Sequence, residues 1–481
     1  MSENKKLSLR NNMFIFAIGV FLTKILNFIF APIYSYHLST SEFGTIDIFS
    51  TAAFLIIPIV TLAITEAVLK YGIDDKSDLK KVFSSGLFVD AIGILLIIIF
   101  SFVLGHFFYR DNLLPVMLYF VFECFFLYMQ AFTRAQKNTI AYASSSVIYC
   151  VISISMIMFF IAFRGMGING YFYGLSIGIF ITIIYLLFVC KVWKYFSFKC
   201  IEKITIFRML KYSAPLVISN ISYWVISGSD KYITNFLMGS HYNGLLSIVH
   251  KIPTLCTLFF SIFNYAYVMS ALKDHKLSEE TFEEDNKFYS TIFRYILVVL
   301  IIGSLFVSLM AYPVTQLYDV AYREAWVFIP LYSFGVIFGE THSFFTSIYC
   351  TKEKTLKVML IVMTGAIINA GSCFLIMKFM DLGLWSTAIS TFLSNTFVFA
   401  FYYFDSKKYV ILKLRIKEII GLLVCASISI LSCFDINLII YYIIASIAFL
   451  AIVALNIKDI IEISKKIVPK LGYNKKQKRT S

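Results

Sequence analysis

The sequence has little charge for its length. Only 15% of its 481 residues are Asp, Glu, Lys or Arg, whereas 59% are hydrophobic and the mean hydropathy is +0.81. Soluble domains carry about 25% charged residues, so a soluble or secreted domain and a disordered chain are excluded. A nucleic-acid binder is excluded too, although the formal net charge is +14. The composition is typical of a polytopic membrane protein, whose charge is explained by membrane topology.

The sequence also lacks the motifs of catalytic and metal sites. Its nine cysteines include no CxxC pair, so their spacing gives neither a zinc site nor a disulfide framework. No GxxxxGK[ST] loop, HExxH or GxSxG sequence occurs, and the connecting segments are too short to fold as a nucleotide-binding or hydrolase domain. We therefore predict a transporter with no catalytic residues, no metal site and no bound cofactor.

Apolar segments long enough to cross a bilayer recur along the whole chain. A spanning helix needs about 20 predominantly apolar residues. Fourteen such segments are predicted, near residues 13–36, 45–68, 82–108, 113–133, 139–163, 170–190, 212–238, 244–270, 289–312, 325–350, 355–377, 384–404, 418–434 and 436–456. The predicted fold class is an all-α polytopic membrane protein of about 14 transmembrane helices.

The basic residues orient these helices, because short loops rich in Lys and Arg stay in the cytoplasm. With the N-terminus inside, 34 of the 42 Lys and Arg residues lie in predicted cytoplasmic segments and four lie in outer segments. A helix count wrong by one would invert every later loop and remove this asymmetry. Both termini are therefore predicted to be cytoplasmic, with the basic tail on the anionic inner leaflet.

The chain repeats part of its sequence at an interval of six helices. HLSTSEFGTIDIFS follows the first helix and FLMGSHYNGLLSIVH follows the seventh, and Gly44 and Gly244 open the next helix in each copy. An even number of helices separates the copies, so two like-oriented lobes around a central cavity are predicted. The predicted domains are an N-terminal lobe over 1–211, a C-terminal lobe over 212–417, two extra helices over 418–456 and a basic tail over 457–481.

Several polar and cationic side chains lie inside the predicted spans. A charge at the bilayer centre costs about 2.5–3.5 kcal/mol, so one that persists lines a water-filled cavity or meets a partner. The candidate residues of the substrate-binding cavity are Lys24, Asn27, Asp230, Lys231, His250 and Lys251. The three lysines would bind an anionic substrate, for which a pyrophosphate is the natural match. The alternative, that charges on neighbouring helices neutralise one another and only hold the bundle together, remains open.

Acidic side chains form a second set. Burial favours the neutral form of a carboxyl group, and exposure in another conformation would release its proton. The candidates for coupling transport to H⁺ or Na⁺ are Glu66, Asp90, Glu123 and Glu340.

Three stretches carry a resemblance to a known family. They are LTKILNFIFAPIYSYHLSTSEFGTIDIFS, TEAVLKYG and KYSAPLVISNISYWVISGSDKYITNFLMGSHYNGLLSIVHKI. They resemble the O-antigen and polysaccharide flippases of the multidrug, oligosaccharidyl-lipid and polysaccharide exporter (MOP) superfamily, over most of residues 10–405. The most specific parts are the YSAP sequence from Tyr212 to Pro215 and the Asp230–Lys231 pair, where the family commonly has Asp-Arg.

The resemblance implies a twelve-helix core of two lobes with two extra helices, and it implies a substrate. That substrate is an undecaprenyl-pyrophosphate-linked oligosaccharide, turned by alternating access from the cytoplasmic to the outer leaflet of a bacterial inner membrane. Membrane lipids are implied as partners. Whether polysaccharide assembly enzymes dock on the cytoplasmic loops stays open.

Other functions remain as alternatives. A peptidoglycan-precursor flippase and an ion-coupled drug exporter share the architecture, but a cation exporter would prefer an acidic cavity to three lysines. A glycosyltransferase or polymerase would need a sizeable outer loop, and an ion channel would need a filter-like sequence; the chain offers neither.

Overall fold

A computed structural model of the chain describes residues 23–74, 77–108, 112–254, 257, 260, 282–351, 354–434 and 436–463. Over these residues the protein contains helices, turns and irregular connections and no β-strand. A helix lies at each of the fourteen predicted spans, so the all-α membrane fold is confirmed. Eight of the described helices are long and apolar enough by themselves to cross a membrane.

The chain divides into two compact units, Met1–Trp224 and Val225–Ser481. The first unit contains seven described helices and the beginning of an eighth. They are α1 (23–35), α2 (Thr40–Val60), α3 (Ile64–Ile73), α4 (Leu79–Phe108), α5 (Leu113–Ala135), α6 (Thr139–Met158), α7 (Gly167–Val189) and the first part of α8 (Lys203–Met238).

The second unit contains the end of α8 and the remaining described helices. They are α9 (Ser240–Lys251), α10 (Phe282–Thr315), α11 (Ile329–Glu340), α12 (His342–Thr351), α13 (Thr355–Phe379), α14 (Trp385–Asp405), α15 (Ile416–Leu431) and α16 (Leu438–Leu455). A further helical segment covers 457–463. The predicted second span corresponds to α2 with α3, and the predicted tenth span to α11 with α12.

The second span is broken into α2 and α3 because two residues between these helices have a left-handed backbone conformation. Pro58 lies in the last turn of α2, and Leu62 and Ala63 follow it in the left-handed region, with φ of 51° and 50°. A left-handed conformation costs about 1–2 kcal/mol per residue for side chains with a Cβ. Gly93 of α4 approaches this break so closely that a Cβ there would meet the Thr61 side chain at 2.8 Å. The break is therefore held by close packing against α4.

Small residues let α7 approach α6. Gly174 and Gly178 lie four residues apart on α7, and a Cβ at Gly174 would meet the Ile157 backbone nitrogen at 2.6 Å. A Cβ at Gly178 would likewise come within 2.8 Å of the Ser153 backbone nitrogen. This spacing is the small-xxx-small pattern of helix pairs in membranes. The helices α6 and α7 are therefore closely packed against each other.

The two last helices belong to the second unit. Both α15 and α16 pack on α10, and α15 also packs on α11. At their ends, Arg415 donates to both carboxylate oxygens of Asp459 at 3.0 Å and to Glu418 at 2.6 Å. The predicted lobe boundary at residue 211 and the predicted central cavity stay predictions. The segment before residue 23, the second half of the eighth span and the basic tail lie outside the described residues.

Candidate functional site

The six predicted substrate residues lie on three helices. Lys24 and Asn27 are on α1 in the first unit, and the other four are on the end of α8 and on α9 in the second.

Lys24 and Asn27 lie on the protein-facing side of α1. Residues at i, i+3, i+7 and i+11 share one helix face, and Ala31 and Ser35 continue this face as buried side chains. Ile29, about 140° around the helix from Lys24, is 53% exposed and marks the lipid-facing side. Lys24 and Asn27 are themselves exposed. The ammonium of Lys24 and the amide of Asn27 are thus exposed on the same helix face that carries the buried side chains of Ala31 and Ser35.

Two contacts hold α1 in this orientation. The thiol of Cys150 on α6 donates to the Thr23 carbonyl oxygen at 3.7 Å. Tyr34 packs edge-on against Tyr171 of α7, with the ring centroids 6.1 Å apart. The face that carries Lys24 is therefore set by packing against α6 and α7.

The structure brings Asp230 and His250 together. Gly239, with φ of 93°, separates α8 from α9. Asp230 precedes this turn by nine residues and His250 follows it by eleven, so an antiparallel hairpin places both about 13–17 Å from the turn. The His250 Nε2 atom lies 3.1 Å from Asp230 Oδ2.

The other contacts of this pair explain its orientation. Asp230 Oδ1 accepts the backbone N–H of Lys231 at 2.9 Å, and the imidazole of His250 stacks on the Tyr332 ring of α11 at 4.5 Å. Consecutive side chains point about 100° apart on a helix. The carboxylate of Asp230 therefore faces His250, whereas Lys231 and Lys251, both half-buried, leave their helices in directions about 100° from those of Asp230 and His250.

A chain of buried polar residues lies beside Asp230, and the sequence prediction missed it. Ser229 donates to the Asn369 amide oxygen at 3.4 Å, and the Asn369 amide nitrogen donates to Ser394 at 3.5 Å. All three are buried, and they link α8, α13 and α14. The available signal was an isolated Asn in the apolar helix α13, together with Ser386, Ser390 and Ser394 at four-residue spacing on α14.

The four predicted acidic residues separate into two groups. Glu66 is exposed in the first turn of α3, and Glu340 is half-buried at the end of α11. Asp90 on α4 is completely buried, and the Cys124 thiol of α5 donates to its Oδ1 atom at 3.5 Å. Glu123, the neighbour of Cys124, also has a buried carboxylate oxygen. The first unit thus holds an Asp90–Glu123 cluster, which comprises Asp90, Glu123 and Cys124.

The Asp90–Glu123 cluster is surrounded by tyrosines. Tyr119 of α5 and Tyr149 of α6 interact with Glu123, and Tyr128 of α5 interacts with Asp90. Within the described residues, Asp90 Oδ2 and Glu123 Oε2 accept no hydrogen bond, and neither carboxylate is in an ion pair. In the same part of the chain, no group of three His, Cys, Asp or Glu side chains is placed to hold a metal ion.

The fold is shared with solved membrane transporters. The chain matches the structure of the lipid II flippase MurJ in an inward closed conformation with a TM-score of 0.64 and 16% identity, over 93% of this chain and 100% of that one. An inward-facing multidrug resistance MATE family transporter of the MOP superfamily matches with a TM-score of 0.57 and 13% identity, over 85% and 96%. A MOP superfamily transporter from Pyrococcus furiosus gives 0.55 and 12%, over 83% and 95%.

The sequence comparison identifies the family. No curated protein sequence matches the chain. The profile of the polysaccharide biosynthesis protein family matches residues 9–269, which include all described residues of the first unit, the Asp230–His250 pair and Lys251. This multi-pass membrane protein therefore belongs to the polysaccharide biosynthesis protein family.

Proposed function

We propose that the protein is a flippase for undecaprenyl-pyrophosphate-linked oligosaccharides in the bacterial inner membrane. Membership of the polysaccharide biosynthesis protein family and the fold shared with a lipid II flippase support a lipid-linked substrate. The observation that carries the proposal is the position of Lys24, an exposed ammonium on the protein-facing side of an apolar helix.

The proposed substrate matches the charges of the site. A pyrophosphate is a strong anion, and the attraction of an ammonium group for it grows as the local dielectric constant falls. Lys24 in the first unit, and Lys231 and Lys251 in the second, supply positive charge within membrane-spanning helices. The polyprenyl tail stays in lipid while the headgroup crosses by alternating access. His250, which contacts Asp230 and Tyr332, adds a nitrogen donor to the second unit.

We further propose that protons drive the cycle through the Asp90–Glu123 cluster. An ionised carboxylate in an apolar interior costs several kcal/mol unless a cation pairs with it. Asp90 and Glu123 have no such partner among the described residues, so this conformation is stabilised when both carry a proton. A conformation that admits water to the cluster releases the protons. This cycle links proton movement to the state of the first unit.

Mass spectrometry of polyprenyl-linked glycans tests the function directly. Cells depleted of the protein are compared with the same cells re-expressing it. Accumulation of one undecaprenyl-pyrophosphate oligosaccharide, with loss of surface polysaccharide, is the expected result. Unchanged glycan-lipid pools and intact surface polysaccharide would contradict the proposal.

A peptidoglycan-precursor flippase is the second candidate, favoured by the full coverage of the lipid II flippase structure. The same mass spectrometry separates the two functions. Accumulation of the peptidoglycan precursor, with the other glycan lipids unchanged, would select the second candidate.

A further inference from the structure

At one end of the first unit, two cations on neighbouring helices lie on tyrosine rings. Each cation contacts the tyrosine of the other helix. Lys70 and Tyr71 lie in the last turn of α3, and Arg208 and Tyr212 lie in the first turns of α8. The Lys70 ammonium lies 3.6 Å from the Tyr212 ring centroid, and the Arg208 guanidinium carbon lies 4.6 Å from that of Tyr71. We call these four residues the Lys70–Arg208 site.

Further contacts fix the Lys70–Arg208 site. The two tyrosine rings meet edge to face at 6.0 Å, and the Tyr71 hydroxyl donates to the Arg208 carbonyl oxygen at 3.5 Å. The neighbouring Met209 of α8 is completely buried. The end of α3 and the beginning of α8 are thus joined, and their two cations are brought to the same place.

Neither cation is neutralised by a carboxylate among the described residues. Glu66 precedes Lys70 by one helical turn, the favourable order for an ion pair, but the Lys70 ammonium lies on Tyr212 instead. Asp78, which follows α3 in the chain, accepts the backbone N–H of Lys80. Within the part of the chain that the structure describes, the Arg208 guanidinium donates only to Ser77, at a long 3.5 Å. The site keeps two positive charges available to an external anion.

Three other basic residues near helix ends of this protein bind carboxylates. Lys81 pairs with Glu202 at 2.5 Å, Lys357 with Asp405 at 2.6 Å, and Arg415 with Glu418 at 2.6 Å. A cation–π contact at an exposed site is weaker than a hydrogen bond between two charged groups. A phosphate can therefore displace or join the tyrosines as the partner of both cations.

The surface beside the site is suited to the headgroup zone of a membrane. Ile204, Phe207, Arg208 and Lys211 share one face of α8, and all four are exposed, Ile204 by 84% and Phe207 by 72%. A helix face that mixes apolar and basic side chains lies in the interface, with its apolar groups toward the acyl chains and its cations at the phosphates. Lys70 and Arg208 also lie in the predicted cytoplasmic segments 70–81 and 191–211.

We propose that the Lys70–Arg208 site is the docking site for the pyrophosphate of the lipid-linked substrate at the inner surface of the membrane, where the headgroup binds before it reaches Lys24. This inference rests on the proposed flippase function. Arg208 supplies a planar fork of donors that matches phosphate oxygens, and Lys70 supplies a point charge. The exposed apolar side chains of α8 leave the polyprenyl tail in contact with lipid.

Photo-crosslinking in the full-length protein tests the location of the headgroup. p-Benzoylphenylalanine replaces Phe207, the protein is placed in phosphatidylcholine nanodiscs, and undecaprenyl pyrophosphate is the probe. We expect an adduct at position 207, and we expect Lys70→Ala with Arg208→Ala to lower its yield by about tenfold or more. Lys194→Ala with Lys199→Ala is the matched control, because it removes two exposed charges from the connection between α7 and α8. This variant should leave the yield within about twofold of the wild type.

The competing source of a phosphate is an ordinary phospholipid. Excess phosphatidylglycerol should not displace the probe, whereas excess farnesyl pyrophosphate should. Equal displacement by phosphatidylglycerol would show a general anionic-lipid surface and overturn the assignment to pyrophosphate. An adduct unaffected by loss of Lys70 and Arg208, or no adduct at all, would overturn the docking site.

The two proposals fail in different experiments. If depletion of the protein leaves glycan-lipid pools unchanged, the flippase function is wrong whatever the crosslinking shows. If depletion changes those pools and the Lys70–Arg208 variant crosslinks as the wild type does, only the docking site is wrong.

Discussion

In the second unit, the carboxylate of Asp230 lies 3.1 Å from the imidazole of His250, and the Asp230 residue is only 2% exposed. The buried carboxylate of Asp230 and the imidazole of His250 contact each other, and removing the partner of a buried polar group costs about 1–3 kcal/mol. We expect His250→Gln and Asp230→Asn each to lower the unfolding temperature in detergent. The double variant His250→Gln with Asp230→Asn should lose less than the sum of the two single losses, because the second substitution changes a group that has already lost its partner.

A thermal-unfolding series measures this coupling. His37→Ala, at an exposed histidine outside the pair, is the control and should leave the unfolding temperature unchanged. Strictly additive losses in the double variant would contradict the pairing.

The Asp230–His250 pair also shows which features can be predicted from the sequence and which cannot. The apolar runs and the basic loops were enough to predict fourteen spans, because length and hydropathy decide which segments cross a membrane. The presence of Asp230 and His250 in adjacent spans was visible, but their contact depends on the turn at Gly239 and on the rotation of both helices. Tyr332 and Asn369 were missed because a single polar residue on an apolar helix shows no pattern until its neighbours are known.

The buried acids of the first unit should respond differently from Asp230. Asp90→Asn and Glu123→Gln replace groups that we propose are already neutral, so each variant should unfold within a few degrees of the wild type. Both should abolish proton uptake linked to substrate flipping in proteoliposomes, measured with an internal pH dye. A strong loss of stability in Asp90→Asn would indicate an ionised, structurally paired carboxylate and would contradict the proton-binding role.

Glu66→Gln is the control for this experiment. Glu66 was also predicted as a coupling residue, but its side chain is exposed at the start of α3. We expect this variant to retain proton uptake.

Lys24 is expected to contribute its charge to substrate binding. Lys24→Ala should reduce export of the glycan lipid by about tenfold or more at normal protein levels, because a charge-assisted contact contributes about 1.5–3 kcal/mol. Lys24→Arg keeps the charge and should retain most of the export. Surface polysaccharide measured per protein molecule checks both variants.

Lys378→Ala is the matched control for Lys24. Lys378 is an exposed lysine near the end of α13, with its ammonium 5.3 Å from the Phe374 ring centroid. Equal export by Lys24→Ala, Lys378→Ala and wild type would contradict a role for Lys24.

Arg415 should fasten the beginning of α15 to the helical segment 457–463 that follows α16. Its guanidinium makes two parallel hydrogen bonds to Asp459, and it also bonds to Glu418, whose side chain is completely buried. Arg415→Lys keeps the charge but loses the bidentate geometry, so we expect a loss of about 1–2 kcal/mol in unfolding free energy. Lys413→Ala, at an exposed neighbouring lysine, should have no effect. Equal stability of the two variants would contradict the fastening role.

Asp405 gives the second unit a pH-dependent contribution to stability. It lies at the end of α14, past the predicted span, and binds Lys357 at 2.6 Å, Lys408 at 2.9 Å and the Tyr349 hydroxyl at 2.6 Å. Partial burial opposes ionisation, but the hydrogen bonds from these three partners lower the pKa of Asp405 from 3.8 to about 2. The folded state therefore binds this proton more weakly than the unfolded state does.

The sign of the effect follows from linkage. A lowered folded-state pKa contributes stability that is complete above the unfolded pKa and is lost as the pH falls toward 2. We expect Asp405→Asn to lower the unfolding free energy by about 1–2 kcal/mol at pH 7, and this difference from the wild type to shrink between pH 4 and about pH 2. Thermal unfolding of both proteins across this range is the measurement. A difference that stays constant down to pH 2 would show that lost packing, rather than lost ionisation, explains the variant.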